Sequence, residues 1–325
     1  SSLRGEVVSA YGRGVRRDAL GGVLMKQSKV GRVVGGLACG VLFASSMVGA
    51  VGCAGTGAAL FVFSGIAFSS NRDGDFDIYR MNADGSLVFQ VTQNIVFDGE
   101  PSWSPANDRI AFSSDRDGNR EIYAAFVTGA SPQRLTNHTS EDSQPSWSPD
   151  GTQIVFVSNR SGNRDIYVMN ANGTGVVQLT SDPGEDLHPC FSPDGTKIAF
   201  ATNRHGNYEI YVMNSNGTGQ ARITNNPGRD WKPRWSPDGT KLVFVSDRTV
   251  NDEIWSMLAS GANQVNLSNH AGTDDDPDYS PDGSMIVFTS NRSGAVDVFS
   301  MNASGGAQTN LTQGAFTDTQ PRWTH

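Results

Sequence analysis

Apolar residues in this chain come in short bursts of four to six, broken by Gly, Pro, Asn, Asp and Ser, and the bursts recur with a fixed step. One unit shows the pattern. Pro145 to Ser148 carries a single large aromatic, and Pro149-Asp150-Gly151-Thr152 reads as a turn, with proline presetting one dihedral and glycine accepting a positive one. Ile154 to Ser158 (I-V-F-V-S) is β-branched and aromatic, and predicts a strand. Ser161-Gly162-Asn163 predicts a second turn, Asp165 to Met169 a third strand, Asn170 to Thr174 a third turn, and Val176 to Thr180 a fourth strand. Four strands joined by tight turns make an antiparallel meander. Such a sheet cannot bury both faces alone, so copies have to stack.

The copies are visible in the numbering. Prolines stand at 101, 145, 189, 233, 277 and 321, a step of 44 residues, and the apolar triplets begin at Ile66, Ile110, Ile154, Ile198, Leu242 and Ile286. A period in the forties with four short strands predicts a propeller blade. The first-strand aromatics Trp103, Trp147, Phe191, Trp235, Tyr279 and Trp323 are expected to fill the wedges between blades. The unit at Ile66 lacks a first strand ahead of it, while the chain ends at Pro321-Arg322-Trp323-Thr324-His325, a first strand with nothing after it. The fold class is therefore all-β: a six-bladed propeller of 44-residue repeats, its ring closed by the C-terminal strand, which removes exposed sheet edges.

The units W-S-P-D-G-T, I-A-F-x-S-N-R, D-I-Y-x-M-N and Q-L-T resemble the propeller repeat of the TolB family, in all six copies across roughly residues 60 to 325. The resemblance implies a propeller of the bacterial cell envelope. It does not extend to the α/β domain that precedes the propeller in TolB proper, and a role in the Tol system does not transfer with the fold.

Charge divides the chain. Of 25 basic and 33 acidic residues, residues 1–52 hold 7 and 2, leaving 18 and 31 in residues 53–325, a net of −13. So acidic a body argues against nucleic-acid binding. Met25 to Arg32 forms a charged segment and Val33 to Gly52 an apolar one, together the pattern of an export signal over residues 25–52, with residues 1–24 expected to lie upstream of the native start. Ala50-Val51-Gly52-Cys53 resembles a lipobox. Lipidation of Cys53, which would give the only membrane attachment, competes with cleavage after Ala50. Beyond Cys39 and Cys53 only Cys190 remains, so no disulfide framework exists, and Cys190 is expected to be a small buried residue.

Comparing repeats isolates candidate site residues. Three positions before each proline stands an aspartate: Asp98, Asp142, Asp186, Asp230, Asp274 and Asp318. After each second strand stands an arginine: Arg72, Arg116, Arg160, Arg204, Arg248 and Arg292. Both sets belong to loops at one end of the ring. They suggest a structural girdle of Asp–Arg bonds. The alternative is a carboxylate ring at the channel mouth holding a cation such as calcium, although no cofactor is required. The stretch Asp73-Gly74-Asp75-Phe76-Asp77 resembles a calcium loop but aligns with a hairpin turn. Variation points elsewhere on the same rim: Glu185 and His188, Arg229, Trp231 and Lys232, and Asp275 and Asp276 break the repeat, with Trp231 expected to be exposed beside Lys232.

G-x-S-x-G, H-E-x-x-H and C-x-x-C are all missing. The reading is an exported monomeric module that binds a protein or glycan through its channel-mouth face. The alternative is an envelope lyase, lactonase or glycan hydrolase with a metal at that mouth, for which His188, Asp186 and Asp276 are the starting candidates.

Overall fold

A computed structural model describes residues 64–325. The expected signal at 25–52, the stretch 1–24 and Cys53 lie outside the described residues. Six four-stranded antiparallel sheets form six blades. Blade 1 holds Ile66–Ser70, Asp77–Met81 and Phe89–Gln90, and blades 2 to 6 begin with the strands Asp98–Trp103, Asp142–Trp147, Asp186–Phe191, Asp230–Trp235 and Asp274–Tyr279. These first strands touch their neighbours in a closed cycle, with Asp318–Trp323 as its sixth member. They therefore line the central channel.

Closure is strand pairing between the two ends of the described chain. Ile66 pairs with Trp323 and Ser70 with Asp318, which gives blade 1 its inner strand. Thr324 N–H donates to Gly65 O at 2.9 Å, and Thr317 N–H to Asn71 Oδ1 at 2.8 Å.

Two boundaries differ from the sequence reading. The inner strands start three residues early, at the aspartate, because the pairs Asp142↔Ser158 and Ser143↔Val157 form ahead of the proline. The outer strands shrink to two residues, such as Val177–Gln178, because nothing lies beyond them to pair with. Their last hydrogen bond is made by a side chain: Thr180 Oγ1 accepts from Ile166 N–H at 2.9 Å, and Thr92, Thr136, Thr224, Ser268 and Thr312 repeat this.

The core lies between blades. The phenylalanine in the middle of every second strand (Phe68, Phe112, Phe156, Phe200, Phe244, Phe288) is fully buried. Trp103 packs on Ile110 and Phe112 of its own blade and on Ala67 and Ile78 of the blade before, as a wedge residue should. Blade spacing is set partly by glycine. A Cβ on Gly173 would stand 2.3 Å from Leu135 O of the preceding blade, and Gly129, Gly261 and Gly305 meet the same close approach.

The ring closure yields a direct test. Deleting residues 318–325 strips blade 1 of its inner strand and exposes the edge at Ile66–Ser70. The truncated protein is expected to lose its single sharp melting transition in calorimetry. A truncation that melts as cooperatively as the full chain would show that another segment fills the gap.

Candidate functional site at the channel mouth

Every inner strand begins with a buried aspartate, and each is gripped the same way. Asp98, Asp142, Asp186, Asp230, Asp274 and Asp318 pair with Arg116, Arg160, Arg204, Arg248, Arg292 and Arg72 of their own blades at 2.7–3.1 Å. Each arginine also donates through Nε to the Ser or Thr hydroxyl that ends the second strand, at 2.8–3.1 Å. Its guanidinium lies 4.5–5.1 Å from an aromatic ring of the third strand. One clamp thus ties three strands of a blade together at the mouth. Burial pushes the carboxyls of Asp142, Asp186 and Asp230 above their ordinary range even with arginine attached.

Beyond each aspartate the strand breaks register, and the residue before the proline takes a left-handed backbone. Glu100, Gln144, His188, Lys232, Asp276 and Gln320 all have φ of 52–57°. Proline offers no N–H to the sheet and restricts its predecessor, so the two residues bulge toward the axis. Their side chains form a relay around the mouth. Gln320 Oε1 accepts the Glu100 N–H at 2.8 Å, Glu100 Oε2 the Gln144 N–H at 2.8 Å, and Gln144 Oε1 the His188 N–H at 2.7 Å.

The relay then changes character. Lys232 Nζ lies 2.6 Å from Asp275 and 3.0 Å from Asp276, across a blade boundary. Burial would lower the Lys232 pKa, but Asp276 and Asp275 outweigh it and hold the ammonium above its usual value. Burial and Asp276 together push Asp275 up to about 6. His188 is held well below its ordinary pKa by burial and by Lys232, so it is neutral at pH 7.

Trp231 differs from expectation. It is half-buried, because it stays in the paired part of its strand, opposite Val245, and its ring lies in the blade interface. Arg229 covers it at 4.4 Å, Tyr208 lies at 6.4 Å, and His188 meets it edge-on at 6.4 Å. Arg229 bonds Asp247 at 2.7 Å, and Glu185 accepts from Tyr208 Oη at 2.9 Å with Arg164 3.7 Å away. The structure therefore joins Glu185, Arg229, Trp231 and Tyr208 in one patch beside Lys232, Asp275 and Asp276. Tyr208 and Arg164 were not singled out from sequence. Their positions inside ordinary hairpin turns carry no signal of where the side chains reach.

His188, Asp186 and Asp276 do not converge. Among the described residues one group of three carboxylates does: Asp73, Asp75 and Asp77, with candidate ligand atoms within 4.8 Å of one another. They share the hairpin between the second and third strands of blade 1, where the N–H of Gly74 closes the turn on Asn71 O. Four other blades have asparagine where blade 1 has Asp75. Asn163, for example, donates to Asp182 O and Gly184 O at 2.9 and 2.6 Å, and Asn119, Asn207 and Asn251 donate to the matching carbonyls. In blade 1 the matching carbonyls belong to Asn94 and Val96, so a carboxylate faces acceptors. Asp75 Oδ2 is buried without a hydrogen-bond partner, and burial together with Asp73 and Asp98 raises its pKa.

Comparison with known proteins gives the following. The family described as the TolB beta propeller domain matches residues 63–143, 117–185 and 225–325. The Tricorn protease N-terminal beta propeller domain matches residues 163–253. No curated protein sequence matches the chain. Among solved structures, TolB from Acinetobacter baumannii is similar at 22% identity and TM-score 0.72, over 80% of this chain and 66% of that protein, so the chain spans just under two thirds of its length. A putative TolB from Agrobacterium tumefaciens is similar at 22% identity and TM-score 0.65, over 81% of this chain and 99% of that one. An oligogalacturonate lyase in complex with manganese is similar at 15% identity and TM-score 0.55, covering 75% and 72%. At these identities the solved structures establish the fold.

The misplaced carboxylate is open to test in chelator-treated protein. Asp75→Asn is expected to raise stability by about 1–2 kcal/mol at pH 7, as the amide regains its two acceptors. A raised carboxyl pKa favours the folded state as pH falls through it, so the gain should shrink in acid, where Asp75 carries its own proton. A denaturation midpoint that is unchanged or lower at pH 7 would contradict the assignment.

Proposed function

The chain belongs to the TolB β-propeller family, and from that membership we propose that it is an exported binding module of the cell envelope. Its partner is a protein, held on the channel-mouth face. The observation that carries this reading is the cluster of aromatic and charged side chains around Trp231 at the mouth. Arg229 lies over Trp231 and Tyr208 packs against it at a tilt, rimmed by Glu185 and by the Lys232–Asp275–Asp276 cluster. The positions matching Trp231 in the other blades hold Gly99, Ser143, Leu187, Asp275 and Thr319, none of them aromatic. Aromatic residues and arginine anchor most protein interfaces, and a charged rim sets orientation. The cavity at the mouth is only about 60 Å³, so a partner would lie across the face rather than enter deeply. This favours a protein over a buried glycan.

A metal-dependent lyase, lactonase or hydrolase at the mouth has less support. Each strand-leading aspartate is engaged by its own arginine, and His188 lies apart from Asp186 and Asp276 as a ligand set. Export and lipid attachment at Cys53 belong to the same proposal and rest on the sequence of residues 25–53.

A photo-crosslinking residue placed at Arg229 in cells is expected to capture a protein, whereas one at exposed Thr152, on the opposite face, should not. Tyr208→Ala and Arg229→Ala should each weaken binding of the captured protein about 5- to 30-fold. Capture at Thr152 alone would move the interface to the other end of the ring.

A further inference from the structure

The channel opens more widely at the end away from the mouth. There the inner strands finish and the S-P-D-G turns begin, enclosing a cavity of about 270 Å³. Its deepest ring is formed by the residue after each repeated inner-strand proline. In ring order these are Ser102, Ser146 and Cys190 on one side and Arg234, Asp278 and Arg322 on the other. Three small residues leave the space, and two guanidinium groups face it. Both arginines also border the mouth cavity, so they form the waist between the two chambers.

We propose that this funnel binds the free C-terminus of a polypeptide, with the terminal carboxylate on Arg234 and Arg322 and an apolar last side chain against the walls. The funnel meets the mouth only at the waist, through Pro145, Arg234 and Arg322.

The charge at the waist is incompletely balanced. Arg322 has one carboxylate within ion-pair distance, Asp276 at 3.8 Å, and among the described residues none stands that close to Arg234, although Asp278 is near both. Each guanidinium gives one N–H to the carbonyl of the proline before it, at 3.1 and 2.7 Å. A guanidinium has five such donors, so most remain for a ligand. Asp278 lies between the two arginines, and one of its oxygens already accepts the Trp323 N–H at 2.8 Å. Burial and repulsion from Arg234 push Arg322 down to about 10. A carboxylate arriving here would relieve that repulsion and accept from both forks.

The walls indicate what the carboxylate is attached to. Of the aromatics along the wall, Trp103, Trp147, Tyr279 and Trp323 are at most 8% exposed, packed in the blade interfaces, and Trp235 is half-buried. The turn prolines Pro105, Pro149, Pro193, Pro237 and Pro281 complete the apolar wall. A sugar would need an open ring face to stack on. An apolar side chain needs only an apolar wall. The volume falls just below the range of about 300–1,000 Å³ usual for small-molecule sites, which suits one residue and its terminus.

The test uses the full chain, with binding read by calorimetry and tryptophan fluorescence. An N-acetylated tripeptide ending in phenylalanine is the probe, in free-acid and amide forms. The free acid should bind, and the amide about tenfold or more weaker. Arg234→Met should weaken the acid by a similar factor while melting at or above the wild-type temperature, since it removes one of two repelling charges. Ser146→Asp, which sets a competing carboxylate across the waist, should weaken it as well. Trp231→Ala should not. Equal binding of acid and amide, or no binding of either, would overturn the proposal. So would binding of a uronic acid disaccharide in place of the peptide, which would reassign the funnel to a saccharide.

Discussion

A buried aspartate leads each inner strand, and the propeller's geometry at the mouth follows from how that charge is held. The carboxylate has no water, so it needs a counter-charge and hydrogen bonds within its own blade. The arginine after the second strand supplies both, and its stacking on the third-strand ring fixes the direction of approach. Once three strands are locked at that point, the sheet register up to the proline is set. The left-handed residue before the proline then has one direction left, toward the axis. Six nearly identical clamps thus present six side chains of free choice to the channel, and blades 4 to 6 use that choice for Lys232, Asp276 and their neighbours.

In three of the blades the clamp offsets only part of the penalty of burial. At Asp142, Asp186 and Asp230 the penalty of burial exceeds what arginine returns, and their carboxyl pKa values are raised. A buried pair of this kind is costly to break and cheap to replace by well-packed apolar residues. Its persistence in all six blades makes sense if the requirement is one orientation rather than the lowest energy. The same logic separates the two chambers of the channel. At the mouth, charges are paired across blades. At the waist, Arg234 and Arg322 share one ring carboxylate, Asp278.

The architecture was legible because the 44-residue period fixes strand order and blade number together, and because the orphan strand at Pro321 has a single place to go. Strand starts were less legible: the aspartate reads as a loop residue until its pairing with the second strand is seen. Trp231 was misjudged as exposed for the same reason. A residue two before the proline is still in register, and register decides which side chains enter the blade interface. The waist was missed because the aromatic beside each of its residues has a sufficient role in packing. The only trace in the sequence is that Ser102, Ser146, Cys190, Arg234, Asp278 and Arg322 vary between a proline present in every repeat and an aromatic residue.

The geometry of the mouth depends on aspartate and arginine acting as one unit. In blade 5, Arg248 bridges both oxygens of Asp230 at 2.7 Å, and both side chains are largely buried. A double-mutant cycle with Asp230→Asn and Arg248→Met, followed by chemical denaturation with and without chelator, measures their coupling. The expected result is a loss of about 1–3 kcal/mol for Asp230→Asn, a double variant that recovers part of it, and no effect of chelator. Additive single losses, or a melt that depends on one divalent ion and loses that dependence in Asp230→Asn, would contradict it and make the aspartates metal ligands instead.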